Sequence, residues 1–299
     1  MRSHKTGKIC DGLYYLGRKE TGVYWLEGND SAIIVSGGMS YIAPDVVQQI
    51  KEFQLDEDKL KGLLILHAHF DHVGIIPFLK RQYPQMTVYG SERAWEILAS
   101  PKAVETVNQF SRLVAGQMGN LDVLSRHDVD WPLGLTGEAV GEGGRISLGD
   151  RDVQVLSTPG HSSCSVTAYA DWIKAVFPSD GGGIPFEDIV VSAGNSNFTQ
   201  YQASLERLAG LDVHYVCADH FGYVYGEEAA GYMARSVAQA KSDRAELEEC
   251  FRREGDVDRA AKLYTETFFG EHPDYFLSPE IYVGVCRQIM RHIAKCIEG

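Results

Sequence analysis

No stretch of apolar residues in this chain approaches the roughly 20 needed to cross a bilayer, so a membrane-spanning helix is not expected. The opening MRSHKTGKICDG is basic but has no apolar core behind it, so it is not expected to act as a secretory signal. CxxC pairs are also missing. The six cysteines, Cys10, Cys164, Cys217, Cys250, Cys286 and Cys296, are scattered, which reads as a reduced, cytoplasmic protein with ordinary buried thiols. Positive charge is in short supply. Lys plus Arg is 28 against 41 for Asp plus Glu, a formal charge of −13. An acidic surface repels phosphate backbones, so nucleic acid is not expected as a partner, although a local basic pocket for a small anion remains open. There is neither a repeat of fixed period nor a low-complexity tract. What remains is ordinary globular composition, 44% hydrophobic and 23% charged, over 299 residues. That is enough for one large domain or two ordinary ones.

The first part of the chain reads as short strands at 12–16, 22–27 and 31–36, separated by Gly and Asn-Asp turn signals. Ala43, Val46, Val47 and Ile50 then recur at helical spacing over 43–54. A strand at 61–66 follows, then a helix at 73–82, a strand at 86–89 and helical segments through about 91–118. Strands return at 152–157, 164–170 and 173–177, with a helix at 199–210 and a strand at 213–218. From about 227 the composition is helical throughout. Gly255 and Asp256 break it once, and Ser278 with Pro279 marks the start of the last helix. The expected organisation is an α/β body over 1–226, with a helical insertion at about 91–118, and C-terminal helices over 227–299 that cover the body or the active site.

The densest chemistry lies in LLILHAHFDHVG, residues 63–74. His67, His69, Asp71 and His72 fall within six positions, directly after a buried-looking strand. A strand end fixes its backbone and can project side chains into a shared crevice. Two residues apart on extended chain, His67 and His69 face the same way, while Asp71 and His72 sit at the turn into the next helix. One short loop can therefore serve two neighbouring ions, and imidazole with carboxylate suits zinc, iron and similar metals. Four ligands from one loop cannot enclose two ions. His161 after VQVLSTPG, Asp180 after IKAVFPS and His220 after VHYVCAD each end a β-rich run in the same manner. A single histidine is more often structural; the repeated strand-end setting is what singles these out. His4, His127, His214, His272 and His292 lack it.

HAHFDH resembles the HxHxDH signature of the metallo-β-lactamase superfamily, and STPGH161, FPSD180 and ADH220 resemble its later ligand positions in the expected order. The resemblance spans most of residues 10–225. It implies an αββα sandwich, two mixed sheets with helices outside, carrying a two-metal site at one edge and here followed by the added C-terminal helical segment. It further implies that His67, His69 and His161 hold one metal, that Asp71, His72 and His220 hold the other, and that Asp180 bridges them. A looser similarity to the PqsE-like quinolone-signal thioesterase subgroup runs through DYFLSPEIYVGVCRQIMRHIAK, SERAWEIL and AIIVSGGMS. The chain departs from the superfamily at IIVSGG: Ser36 stands where many members carry an Asp that supports a ligand, a change expected to lower metal affinity or alter metal preference. Leu66 replaces a frequent Thr, and the Gly-rich SDGGG after Asp180 is unusual.

Two divalent ions roughly 3.5–4 Å apart share a water and lower its pKa toward neutrality, and the resulting hydroxide attacks a carbonyl or phosphorus. Zinc is the favoured ion, with iron or manganese as alternatives. Asp71 is the candidate for orienting the nucleophile or handling its proton. A thiolate leaves without strong acid help, so a small acyl thioester of acyl-CoA type is the expected substrate. Lactonase, phosphodiesterase and glyoxalase II-like hydrolysis of the same fold are the alternatives, as is a regulatory binding protein with vestigial activity. Iron would open oxygen chemistry, but flavodiiron-type members usually replace a motif His with Glu, and His69 is retained here. Tyr223 and Tyr225 are candidates for binding substrate or oxyanion. Trp95, Ile97, Leu98, Phe110 and Leu113 suit either an acyl-binding roof or core packing. Beyond the small-molecule substrate, the expected partners are a second copy of the chain or another protein, met through the C-terminal helices.

Overall fold

A computed structural model describes all 299 residues, which fall into two compact units. The first comprises Met1–Ser157, Cys164–Ser179 and Asp212–Ala230; the second comprises Thr158–Ser163, Asp180–Leu211 and Gly231–Gly299. The expected α/β sandwich with an added C-terminal helical segment is what the chain forms. No helix is long and apolar enough to cross a membrane.

The first unit holds two seven-stranded sheets. One runs Gly7–Cys10, Leu13–Gly17, Gly22–Glu27, Ala32–Val35, Leu60–Leu64, Thr87–Gly90, Glu138–Ala139 in spatial order. Its first four strands are an antiparallel meander, and Ala32–Val35, Leu60–Leu64 and Thr87–Gly90 pair in parallel. The other runs Arg2–Ser3, Tyr223–Tyr225, Tyr215–Cys217, Ala175–Phe177, Val166–Ala170, Asp152–Ser157, Arg145–Ser147. The alternation of apolar residues predicts which faces meet. Leu13, Tyr15, Tyr24, Ile33, Leu64 and Leu66 from the first sheet pack against Val153, Val155, Val166, Ala168, Phe177 and Cys217 from the second. Tyr24 and Phe177 meet edge to face at 5.4 Å across the gap.

The opposite face of the first sheet, including Trp25, Ile34 and Leu63, is covered by helices. Helix α1 (Ala43–Glu52) buries Ala43, Val46 and Ile50, and α2 (Ile76–Gln82) buries Ile76, Phe78 and Leu79. The expected helix at 73–82 starts later than its sequence pattern suggests, because Phe70–His72 forms a separate 3₁₀ turn. The segment 91–118 resolves into α3 (Glu92–Leu98), capped by Ser91 accepting from Ala94 N–H, and α4 (Pro101–Gln117). A further short helix, α5 (Leu121–His127), follows.

In the second unit a hairpin, Ile184–Phe186 with Ile189–Val191, accompanies α6 (Phe198–Leu208), α7 (Glu227–Glu254, within this unit from Gly231), α8 (Val257–Glu271) and α9 (Pro279–Glu298). Asn197 caps α6 and Asp256 caps α8. On α9 the buried positions Tyr282, Cys286, Ile289, Met290 and Ile293 recur at helical spacing and form one apolar stripe. Phe268 of α8 stacks on Tyr282 at 4.6 Å, and Tyr275, between the two helices, packs against Phe268 and Phe186 at 5.0 and 5.1 Å.

Candidate metal centre

Leu60–Leu64 is buried except at Lys61, because parallel strands flank it on both sides. Its end delivers His67, 1% exposed, to the sheet rim. The chain then turns through Phe70–His72, with His72 N–H donating to the His69 carbonyl at 3.0 Å. Gly74 is required where the loops meet. A Cβ there would lie 2.2 Å from Ser40 N, and its own N–H donates to Gly38 O at 2.8 Å. Gly37 N–H in turn donates to His72 O at 2.9 Å, so two loops lock the motif's backbone.

His67, His69, Asp71, His72 and His220 come together in the first unit. His67 Nε2 lies 3.1 Å from His69 Nδ1. His72 Nε2 and His220 Nε2 each lie 3.5 Å from Asp71 Oδ2, and the three side chains form a group able to hold an ion. Those separations fit a metal. The edge of a tetrahedron with bonds of about 2.1 Å is about 3.4 Å, close to both spacings and longer than a good N–H···O hydrogen bond. The outer nitrogens are anchored: His220 Nδ1 pairs with Glu20 O at 2.8 Å and His72 Nδ1 with Asp219 Oδ2 at 2.7 Å. Each anchor fixes the tautomer that presents Nε2 as ligand. Burial pushes the Asp71 carboxyl up, but the positive charge that His72 carries when protonated, with the contacts from His220 and His72, outweighs it and holds the group well below the usual carboxylate range; neutral rings that present Nε2 to an ion would leave that pull to the ion.

His161 and Asp180 belong to the second unit and meet there, His161 Nε2 lying 3.5 Å from Asp180 Oδ2. His161 Nδ1 is anchored on Ala193 O at 2.7 Å. The two are 2% and 6% exposed. Each expected ligand thus lies within 3.5 Å of another in its own unit, and His72, His161 and His220 carry the Nδ1 anchor that metal sites use.

Tyr223 and Tyr225 lie in an antiparallel strand against Tyr215–Cys217, where Tyr223 packs on Tyr15 at 6.1 Å. Leu98 is core, and Trp95 and Ile97 pack against that core. Phe110 and Leu113 remain 47% and 51% exposed, and Phe110 stacks at 5.6 Å on Phe70, the neighbour of exposed His69. Sequence reasoning missed Asp219 and Ser179. Asp219, 1% exposed, accepts from Ser36 Oγ at 2.9 Å as well as pairing with His72. The expected loss of a carboxylate at position 36 is therefore met from the other sheet; the one available signal was the Asp directly before His220.

Strand ends carrying anchored imidazoles and carboxylates define a hydrolase of the two-sheet sandwich class with side-chain groups suited to a divalent metal. The chain belongs to the metallo-beta-lactamase superfamily, whose profile matches residues 17–220. It is similar to the metallo-beta-lactamase fold-containing protein ST1585 of Sulfurisphaera tokodaii, 24% identical over 208 residues, 68% of this chain and 73% of that one. The crystal structure of ST1585 superposes with a TM-score of 0.56 at 21% identity, covering 77% of this chain and 86% of the other. Shorter matches join it to the exodeoxyribonuclease WalJ of Streptococcus pneumoniae, 23% identical over 141 residues, 47% of this chain and 51% of WalJ. A hydroxyacylglutathione hydrolase of Klebsiella pneumoniae is 27% identical over 145 residues, 48% of this chain and 41% of that enzyme. The chain thus spans about half or less of these last two relatives.

Proposed function

We propose that this protein is a binuclear zinc-dependent hydrolase of small acyl thioesters. The observation that carries the hydrolase reading is the convergence of His72 Nε2 and His220 Nε2 on Asp71 Oδ2, each at 3.5 Å, with both outer nitrogens anchored. In this reading His67, His69 and His161 hold one ion, Asp71, His72 and His220 the other, and Asp180 serves both. A divalent ion supplies an acidified water and a Lewis acid for the substrate oxygen. As a carboxylate beside a cation Asp71 accepts hydrogen bonds only, which suits it to orient an attacking water.

The leaving group selects the substrate. With the imidazoles and the two aspartates taken as metal ligands, this reading leaves none of them to act as an acid. A thiolate, with a pKa of about 8.5, departs without one, whereas an alkoxide or amine needs help. The match to a hydroxyacylglutathione hydrolase supports this choice. Beside exposed His69, the stacked Phe70 and Phe110 and the neighbouring Leu113 give an apolar surface for the acyl group. The six free thiols support placing the protein in the reducing cytoplasm.

A phosphodiesterase reading has one observation in its favour, the match to WalJ, and the charge of −13 weighs against it for long nucleic acids. The test is a panel of acyl-CoA and acylglutathione thioesters, p-nitrophenyl esters, lactones, bis-p-nitrophenyl phosphate and single-stranded DNA, run on zinc-replete wild type and His69→Ala. Thioester turnover that disappears in His69→Ala is expected. Preferential cleavage of the phosphodiester or DNA replaces the thioesterase reading. Turnover of nothing in a His69-dependent way removes the catalytic reading and leaves a binding role, with the C-terminal helices as the interface.

A further inference from the structure

Asp219 stands in none of the expected ligand groups, yet three donors converge on a single atom of it. Oδ2 accepts from His72 Nδ1 at 2.7 Å, from Ser36 Oγ at 2.9 Å and from Ser179 Oγ. Ser179 Oγ also lies 3.2 Å from His67 Nδ1. A hydroxyl has one proton. With that proton given to the Asp219 carboxylate, Ser179 can only accept at His67, so His67 Nδ1 carries the hydrogen and Nε2 carries the lone pair. His72 is fixed the same way by direct contact. Its Nε2 faces the Asp71 group, while His67 Nε2 faces His69.

We propose that Asp219 is a shared positioning residue: one buried carboxylate sets the tautomer of His72 directly and of His67 through Ser179, and so supports a ligand in each of two ion sites. The backbone provides a second, independent observation. Ser36 and Ser179 have φ of 72° and 51°, the left-handed region where glycine is the easy choice. Keeping a side chain there is unfavourable at each position. Both residues place their hydroxyl on the same carboxylate oxygen, so the two strained positions serve one acceptor. The surroundings hold that acceptor firmly: Tyr24 OH donates to Ala218 O at 2.6 Å, and Gly22 N–H donates to Asp219 O at 2.8 Å.

The inference rests on the metal reading for its consequence and stands apart from it in its test. Histidine tautomers are read first, by long-range ¹H–¹⁵N correlation spectra of metal-free wild type. His67 and His72 are expected as Nδ1–H tautomers; an Nε2–H tautomer at either one overturns the proposal, whatever happens to variants. Zinc affinity is then measured by competition with a chromophoric chelator. Asp219→Asn is expected to weaken both zinc equivalents by about 10–100-fold, the usual effect of removing a ligand's supporting partner. Ser179→Ala should weaken one equivalent chiefly. The double variant Ser36→Asp with Asp219→Ser should restore the equivalent that uses His72 and leave the one that uses His67 weak. If Asp219→Asn alters one equivalent alone, or neither, the shared role is refuted. A wild type that binds no zinc while showing the expected tautomers removes the hydrolase reading and leaves the Asp219 arrangement standing.

Discussion

Gly160, directly before His161, offers a controlled test of how closely the second unit is built around its ligands. Its φ is +133°, and a Cβ there would lie 2.2 Å from Tyr201 N and 2.3 Å from Tyr201 Cα. Its carbonyl accepts from Ser196 and Asn197 N–H at 3.0 and 2.9 Å, so the loop is tied to the start of α6. Gly119, with φ of +69° and nothing within 4 Å of its notional Cβ, carries a backbone penalty without the collision. Gly119→Ala should cost about 1 kcal/mol, lowering Tm by roughly 2–4 °C, with zinc affinity unchanged. Gly160→Ala should cost about 3–4 kcal/mol, since backbone on α6 cannot move aside as a flexible side-chain tip can. It should also weaken zinc binding at least tenfold, because His161 moves with residue 160. Calorimetry and chelator competition on both variants decide. A Gly160→Ala protein that melts with Gly119→Ala and binds zinc like wild type would show that the close approach to Tyr201 is not real.

Phe177→Ala should cost about 3–5 kcal/mol, because the ring is fully buried between the sheets, and the loss is read by chemical denaturation. Asp243, 8% exposed on α7, has its carboxyl pushed up by burial, against the opposing hydrogen bonds of Ser192 and Gln239. A raised carboxyl pKa means that the folded state disfavours the charge. The penalty is absent below the unfolded pKa of about 3.9 and grows as pH rises through the folded value. Asp243→Asn keeps an acceptor for Gln239 Nε2, 2.7 Å away, and should raise stability by roughly 1 kcal/mol at pH 7, with the gain vanishing near pH 4 in a series of melts. Phe110→Asp should raise KM for long-chain thioesters about tenfold and leave acetyl thioesters nearly unchanged, since it removes apolar contact and no ligand. Parallel KM series on the two chain lengths check it.

The candidate ligands were legible because each ends a β-rich run, and a strand end is visible in one dimension. His67, His69, Asp71 and His72 also share a single loop. Asp219 was not legible, since its meaning lies in its contact with His72, 147 residues away. For the same reason Ser36 read as a deficit when only its own strand was in view. Short strands such as Arg2–Ser3 and Tyr223–Tyr225 exist through each other's ladder and offer no periodicity to read. The grouping of Thr158–Ser163 and Asp180–Leu211 with the C-terminal helices is likewise a matter of packing rather than of composition.

The Ser36 to Asp219 hydrogen bond has a mechanical side. Ser36 follows Ala32–Val35 in one sheet and Asp219 follows Tyr215–Cys217 in the other, so the bond is a rivet between the two layers at their functional rim. Sliding of one layer over the other must break it first. Any opening that admits a large substrate to the first unit therefore has to come from its loops, and the amides beside the rivet should be among the slowest in that unit to exchange with deuterium.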